Sequence, residues 1–162
     1  MAVRPILVLG NPVLRNKARK ISRFDQSLER LVQDMIETMR EAPGVGLAAP
    51  QIGEPVRVAV VDVSGHRACT AGNGLLTLVD PRLVEGAGRE VGREGCQSIP
   101  WYIVDVRRFR RIVVETERGR CAWSIGIEAR AVQHELDHLD GVLILDRAAG
   151  ARAIHHREAP ER

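Results

Sequence analysis

The most regular hydrophobic pattern in the chain lies between residues 28 and 39. Its apolar side chains recur at intervals of three and four, which places them along one face of an α-helix. They are Leu28, Leu31, Val32, Met35, Ile36 and Met39. Asp25 is a suitable N-cap, and the Pro43-Gly44 pair ends the pattern. The spacing therefore predicts an amphipathic helix that begins after Asp25.

Shorter apolar runs, separated by glycine, proline and charged residues, predict β-structure elsewhere. They span residues 6–9 (a strand or extended segment before a turn), 56–61, 75–79, 101–106 and 111–117. Segment 64–74 is polar and predicts a loop. A second helix is predicted from after Ser124 or Gly126 to about Asp140, with Gly141 as its C-terminal stop. Because strands and helices do not alternate, the pattern favours an α+β fold over a doubly wound sheet.

Composition narrows the class of protein. The chain has 162 residues, of which 44% are hydrophobic and 28% charged, as expected for one soluble globular domain. Its apolar runs are too short for a membrane span or for the core of a signal peptide. The three cysteines are an odd number without a Cys-x-x-Cys pair, so they predict no disulfide framework. A reducing, cytoplasmic location is expected.

The densest cluster of positive charge lies in one short segment, although the net charge is only +3. The segment contains Arg107, Arg108, Arg110 and Arg111 around Phe109. Such a cluster can contact RNA or an acidic partner. No nucleic-acid motif accompanies it, so the favoured interpretation is an alternating strand with a solvated arginine face.

The second predicted helix carries a His-Glu-x-x-His sequence at 134–138. His134 and His138 lie one turn apart on the same helical face, so both imidazoles can reach one metal ion. Glu135 can stand beside that ion and take a proton from metal-bound water. The alternative is a helix whose histidines and carboxylates simply face solvent.

A third ligand decides between these interpretations. A metzincin needs a histidine at position 144, which is isoleucine, and a thermolysin-like site has only Glu158 or Glu161 to offer. Cys96, in a turn rich in glycine, serine and proline, is the better candidate. One thiolate and two imidazoles leave a fourth position open, as in catalytic metal sites. Cys69 and Cys121 are better interpreted as small buried apolar residues.

The glycine-rich loop at 44–49 formally matches a dinucleotide fingerprint. That fingerprint follows a strand and opens a helix, whereas here a helix precedes the loop and a strand follows, so the Rossmann interpretation is rejected. A loop of small residues instead lets an extended peptide approach closely. Gln51, just after it, can donate its amide to a developing oxyanion.

Three segments, taken together, resemble the motifs of the peptide deformylase family: GVGLAAPQ at 44–51, EGCQS at 94–98 and QHELDH at 133–138. The chain's start, 6–15, is also similar, so the resemblance covers about residues 4–147. It implies an α+β, peptide-deformylase-like fold with antiparallel sheets packed around a central helix carrying His-Glu-x-x-His. We expect a catalytic domain at 1–147 and a charged tail at 148–162 that is at most partly ordered.

The resemblance also implies a reaction, removal of the formyl group from N-formylmethionine of new polypeptides with release of formate. By motif position, Glu135 is the general base and acid, and Gln51 with the backbone N–H of Gln97 stabilises the oxyanion. Val45 and Gly46 border the substrate. The implied metal ligands are Cys96, His134 and His138.

The family implies one divalent metal ion, natively ferrous iron, with zinc, nickel or cobalt as alternatives. The expected partners are N-formylmethionyl nascent peptides and the ribosome near its exit tunnel, with no DNA and no membrane. The chain departs from the family pattern at Gln97, often leucine, at Trp101-Tyr102, and at Asp80, usually asparagine. Two rival hypotheses are a deformylase-like protein that only binds, and a metallopeptidase that cleaves internal bonds.

Overall fold

Two helices and seven strands make up the regular secondary structure of the described residues. The computed structural model describes residues 2–117, 119 and 121–157, without the side chains of 121 and 122. The helices are α1 (Gln26–Glu41) and α2 (Gly126–Leu139). The strands are β1 (Gly46–Ala48), β2 (Val58–Val61), β3 (Leu76–Val79), β4 (Arg82–Cys96), β5 (Ile99–Glu115), β6 (Cys121–Ile125) and β7 (Ile154–His156). Short 3-10 helices span Pro12–Arg15, Ala49–Ile52 and Ile144–Arg147.

The strands form two antiparallel sheets. One has the order β1-β2-β3, and the other has the order β4-β5-β6 with β7 paired to a separate part of β5. Strands β4 and β5 form a long hairpin whose turn lies at Gln97 and Ser98. This arrangement confirms the predicted α+β class.

Strand β2 lies between the two helices, which explains its uninterrupted apolar sequence. Val58 and Val60 pack with Met35 and Met39 of α1, whereas the alternate residues of β2 pack with α2. Alternation is expected because successive side chains of a strand point to opposite faces. The cluster around α2 also includes Ile112 and Val114 of β5. Helix α2 is therefore the central helix, held between both sheets.

Both predicted helices are confirmed. The Asp25 side chain caps α1 by accepting a hydrogen bond from the Ser27 backbone N–H at 2.9 Å. Helix α2 begins at Gly126 and ends at Leu139, and Gly141 has a φ of 72°, where glycine is favoured. The segment 6–9 is not part of a sheet, and it ends in a turn at residues 9–10. Neither described helix is long and apolar enough to cross a bilayer.

The hairpin differs from the sequence prediction. Segments 101–106 and 111–117 are not separate strands, because β5 runs unbroken from Ile99 to Glu115. Strand β4 was not predicted, since its sequence of arginine, glutamate and glycine has little apolar alternation and most of it is exposed. Pairing with β5 supplies the backbone hydrogen bonds that its sequence alone does not indicate.

The arginine-rich segment lies on β5. Arg107, Arg110 and Arg111 are exposed, as predicted for a solvated face, but the prediction is wrong for Arg108, which is 5% exposed. A buried guanidinium needs paired acids, and Arg108 has Glu94 and Asp137. Beyond residue 148, β7 pairs with β5, and residues 158–162 of the expected tail lie outside the described residues.

Candidate active site

A cleft of about 200 Å³ opens where α2, the turn between β4 and β5, and strand β1 meet. All the site residues predicted from the sequence line this cleft except His138. Those that line it are Val45, Gly46, Gln51, Cys96, Gln97, His134 and Glu135. His138 is buried and joins the site through Cys96 and His134.

Three candidate ligand atoms converge at the base of the cleft. His138 Nε2 lies 3.3 Å from Cys96 Sγ and 3.2 Å from His134 Nε2, and all three atoms fall within 4.8 Å of one another. The two histidines come from successive turns of α2, and Cys96 comes from the last residue of β4, where the register with β5 is irregular. A thiolate with two imidazole nitrogens suits a divalent metal in a catalytic site.

Electrostatics favour the ligating form of the cysteine. Burial by itself raises the pKa of the Cys96 thiol, but His138 and His134 lower it well below its ordinary value. Burial lowers the pKa of the His134 imidazole. Its hydrogen bonds with Cys96 and Glu94 outweigh burial and raise that pKa well above its usual range. The two imidazoles therefore favour the thiolate of Cys96, the form in which cysteine binds metals.

Glu94 holds His134 in place from the opposite side. Its Oε2 lies 3.0 Å from His134 Nδ1, so in the neutral ring Nδ1 carries the proton and Nε2 presents its lone pair to the cleft. Burial raises the pKa of Glu94, but hydrogen bonds from His134 and Arg108 more than offset this and bring it to about 2. The carboxylate is ionised throughout the neutral range.

Two arginines neutralise Glu94 within the protein. Arg108 binds both of its oxygens, at 2.9 and 3.0 Å, and Arg130 Nη1 binds Oε1 at 2.9 Å. Arg108 also donates to Asp137 at 2.5 Å, and Asp137 in turn accepts from Arg147. These contacts fix Glu94 rigidly behind the imidazole of His134.

Glu135 lies beside the ligands and is 4% exposed. Burial raises the pKa of its carboxyl group, while His134 and His138 lower it and Cys96 raises it further, so that the net shift is upward. Its carboxylate abuts Gly46 so closely that a Cβ on Gly46 would overlap it. A raised carboxyl pKa brings the group nearer to the pKa that suits a general base at neutral pH.

Gln51 reaches the site from the 3-10 helix that follows β1. Its Nε2 donates to Ser98 Oγ at 3.1 Å and lies 3.9 Å from Cys96 Sγ, while its Oε1 accepts from the Ala48 backbone N–H at 2.9 Å. The amide is 2% exposed and is fixed in orientation by these contacts. A fixed N–H donor near the ligands suits the stabilisation of negative charge on oxygen.

Local contacts explain two of the residues, Gln97 and Asp80, that depart from the pattern of the family motifs. The Gln97 side chain donates to the Ala42 carbonyl and fills the space over Gly44. Asp80 has a φ of 48°, a conformation in which asparagine and aspartate are enriched, and its carboxylate accepts from the Ile21 N–H. Trp101 and Tyr102 do not line the cleft.

Sequence reasoning missed the residues behind the ligands. Glu94, Ser98 and Asp137 all fall within the quoted motifs, yet their partners lie on separate elements. Glu94 pairs with Arg108 and Arg130, Asp137 pairs with Arg108, and Ser98 accepts from Gln51. The available signal was the position of these polar residues next to the candidate ligands in the motifs. It could not identify their partners.

Comparisons with known proteins agree with this architecture. The family model for polypeptide deformylase matches residues 3–153. A peptide deformylase of Heliobacterium modesticaldum is 46% identical, covering 91% of this chain and 95% of the relative, and one from Pelotomaculum thermopropionicum is 42% identical, covering 98% and 99%.

Solved structures give the same result. The crystal structure of peptide deformylase from Thermotoga maritima is 41% identical with a TM-score of 0.81, covering 93% of this chain and all of that one. A Synechococcus elongatus peptide deformylase in complex with actinonin is 36% identical with a TM-score of 0.80, covering 90% and 79%. The chain belongs to the peptide deformylase family.

Proposed function

We propose that this chain removes the formyl group from N-formylmethionyl peptides at a metal ion held by Cys96, His134 and His138. Peptide deformylases are metal-dependent hydrolases that act on the formylated ends of nascent proteins. The observation that carries the proposal is the convergence of the three ligand atoms beside the buried carboxylate of Glu135 in one cleft. A divalent cation in this position supplies Lewis acidity and lowers the pKa of a coordinated water.

The side chains perform the proton transfers and bind the substrate. Glu135 accepts a proton as water oxygen attacks the formyl carbon, and then donates it to the amine nitrogen as the C–N bond breaks. Formate and a free methionyl amine are the products. Gln51 Nε2 and the backbone N–H of Gln97 donate to the oxygen of the tetrahedral species. Val45 and Gly46 border the extended substrate.

The test measures formate released from formyl-Met-Ala-Ser by anaerobically prepared, iron-loaded protein. Glu135→Gln is the matched control: it should lower turnover by about 10²–10⁴-fold while metal content stays unchanged. Mass spectrometry of the products separates the alternatives, because a metallopeptidase would cut an internal bond. A protein that only binds would release nothing, and either result would refute the proposal.

We infer that the native metal is ferrous iron. This inference rests on the family resemblance, since Cys/His₂ ligation alone suits zinc equally well. Zinc, nickel and cobalt remain the alternatives. Elemental analysis of protein purified without oxygen tests this assignment. Zinc at one equivalent with undiminished turnover would contradict it.

We further propose a cytoplasmic enzyme that meets its substrate at the ribosome, near the exit tunnel. Newly made chains carry the formyl group there, and exposed Arg107 and Arg111 on β5 offer positive charge toward RNA phosphates. Co-sedimentation with ribosomes at low salt, lost at high salt and weakened by Arg107→Ala with Arg111→Ala, is the expected result. Unchanged sedimentation of the double variant would exclude this surface.

A further inference from the structure

One wall of the cleft is formed by a loop, residues 62–75, that carries His66. The half-buried imidazole lines the same cavity as Gly46, Glu135 and Ile127. Most other residues of this loop are exposed. His66 therefore lies where the cleft meets the exposed surface of this loop.

The hydrogen bonding of His66 leaves one donor unused. Its Nδ1 accepts from the backbone N–H of Ala68 at 3.1 Å. In the neutral ring the proton must then be on Nε2. Within the described part of the chain, Nε2 has no hydrogen-bond partner. An N–H donor is thus available at the mouth of the cleft.

The loop is fixed in place, although it has no regular secondary structure. Glu128 of α2 is 1% exposed, and its carboxylate accepts from the backbone N–H and the side-chain amide of Asn73, at 2.7 and 2.6 Å. The Asn73 amide also donates to the Trp123 carbonyl at 2.7 Å. Two consecutive turns, from the His66 N–H to Val63 and from the Cys69 N–H to His66, shape the segment that carries the ring. His66 is therefore held in position before any ligand binds.

The cleft divides into an apolar part and a polar rim. Val45, Ile127 and Ala131 supply apolar surface suited to a methionine side chain, whereas His66 and Arg93 lie at the rim. A peptide longer than formylmethionine must pass this rim with its backbone carbonyls exposed. Polar groups at the edge of an apolar cleft commonly fix the orientation of a ligand.

We propose that His66 Nε2 donates a hydrogen bond to a backbone carbonyl of the substrate beyond the formylmethionine residue. This inference rests on the proposed deformylase function. It makes His66 a substrate-binding residue that distinguishes peptides from formylmethionine alone. Asn73 and Glu128 act indirectly, by positioning the loop.

Substrate length provides the test. We compare kcat/KM of the metal-loaded wild type and His66→Ala on formyl-Met-Ala-Ser and on formylmethionine. His66→Ala should lower kcat/KM for the tripeptide about 3- to 10-fold, mainly through KM, as expected for one hydrogen bond. For formylmethionine the change should stay within about twofold. Asn73→Ala, which loosens the loop, should act in the same direction.

Two controls make the result specific. His66→Gln replaces the imidazole N–H by an amide N–H donor and should recover part of the tripeptide preference. Arg67→Ala, on the same exposed loop but outside the cleft, should leave kcat/KM unchanged for both substrates. Equal losses on both substrates, or no loss on the tripeptide, would overturn the role of His66. Absence of formate from either substrate with wild-type protein would instead refute the proposed function.

Discussion

Replacing Glu94 by glutamine tests how strongly the residues behind the ligands support the candidate metal site. The substitution keeps the size of the side chain and removes its negative charge. Arg108 keeps Asp137 as an acidic partner, and Arg130 keeps the carbonyl oxygen of Val106. His134 Nδ1 loses its carboxylate acceptor.

The magnitude follows from the pKa of the carboxyl group. A pKa of about 2, against an ordinary 4.5, corresponds to about 3 kcal/mol of stability at 1.36 kcal/mol per unit. Removing one partner of a buried ion pair typically costs about 3–5 kcal/mol of stability, a range consistent with the value from the pKa. Because the folded pKa is depressed, this contribution is fully present above pH 4.5 and is lost as the pH falls toward 2. Metal affinity should also fall, by about 10- to 100-fold.

Urea unfolding at pH 7 and at pH 3, together with a competitive metal-binding titration, measures both effects. The matched control is Glu90→Gln, on the same strand. The Glu90 side chain is exposed, and among the described residues its carboxylate pairs with exposed Arg110 alone. The control should change stability by no more than about 0.5 kcal/mol. A Glu94→Gln variant as stable as the control, or a stability loss that grows at low pH, would refute this reasoning.

Three further substitutions test other parts of the account. Gln51→Ala should lower kcat about 10²- to 10³-fold with metal content unchanged. An unchanged kcat in this variant would exclude Gln51 from stabilising the oxyanion. Gly46→Ala should displace the Glu135 carboxylate and reduce kcat by about 10²-fold, whereas wild-type kinetics would show that Glu135 need not keep this position. Asp80→Ala should destabilise the fold by about 1–3 kcal/mol in urea unfolding, through the positive φ and the lost Ile21 contact. Asp80→Asn should be nearly neutral, and equal losses in both variants would contradict that explanation.

The sequence was most informative where periodicity and short motifs act locally. The apolar stripe of α1 and the one-turn spacing of His134 and His138 depend only on helical geometry, so both could be predicted. The class of fold followed from the order of the elements. Cys96 was predicted as the third candidate ligand from its turn rich in glycine, serine and proline, and the family resemblance implies the same residue.

What could not be predicted depends on contacts between distant segments. Strand β4 has no apolar alternation of its own and exists because β5 pairs with it along its length. Arg108 resembles its surface neighbours in sequence, because the carboxylates of Glu94 and Asp137 that pair with it come from other elements. His66 has no motif at all, and only the path of its loop brings it to the cleft.

The most direct test of the central claim is a metal titration followed by formate release. Metal-free protein is titrated anaerobically with ferrous iron, and formate released from formyl-Met-Ala-Ser is measured at each step. We expect no turnover without metal and a linear rise in turnover that saturates at one ion per chain. Turnover by the metal-free protein, or a fully loaded protein that releases no formate, would contradict this expectation.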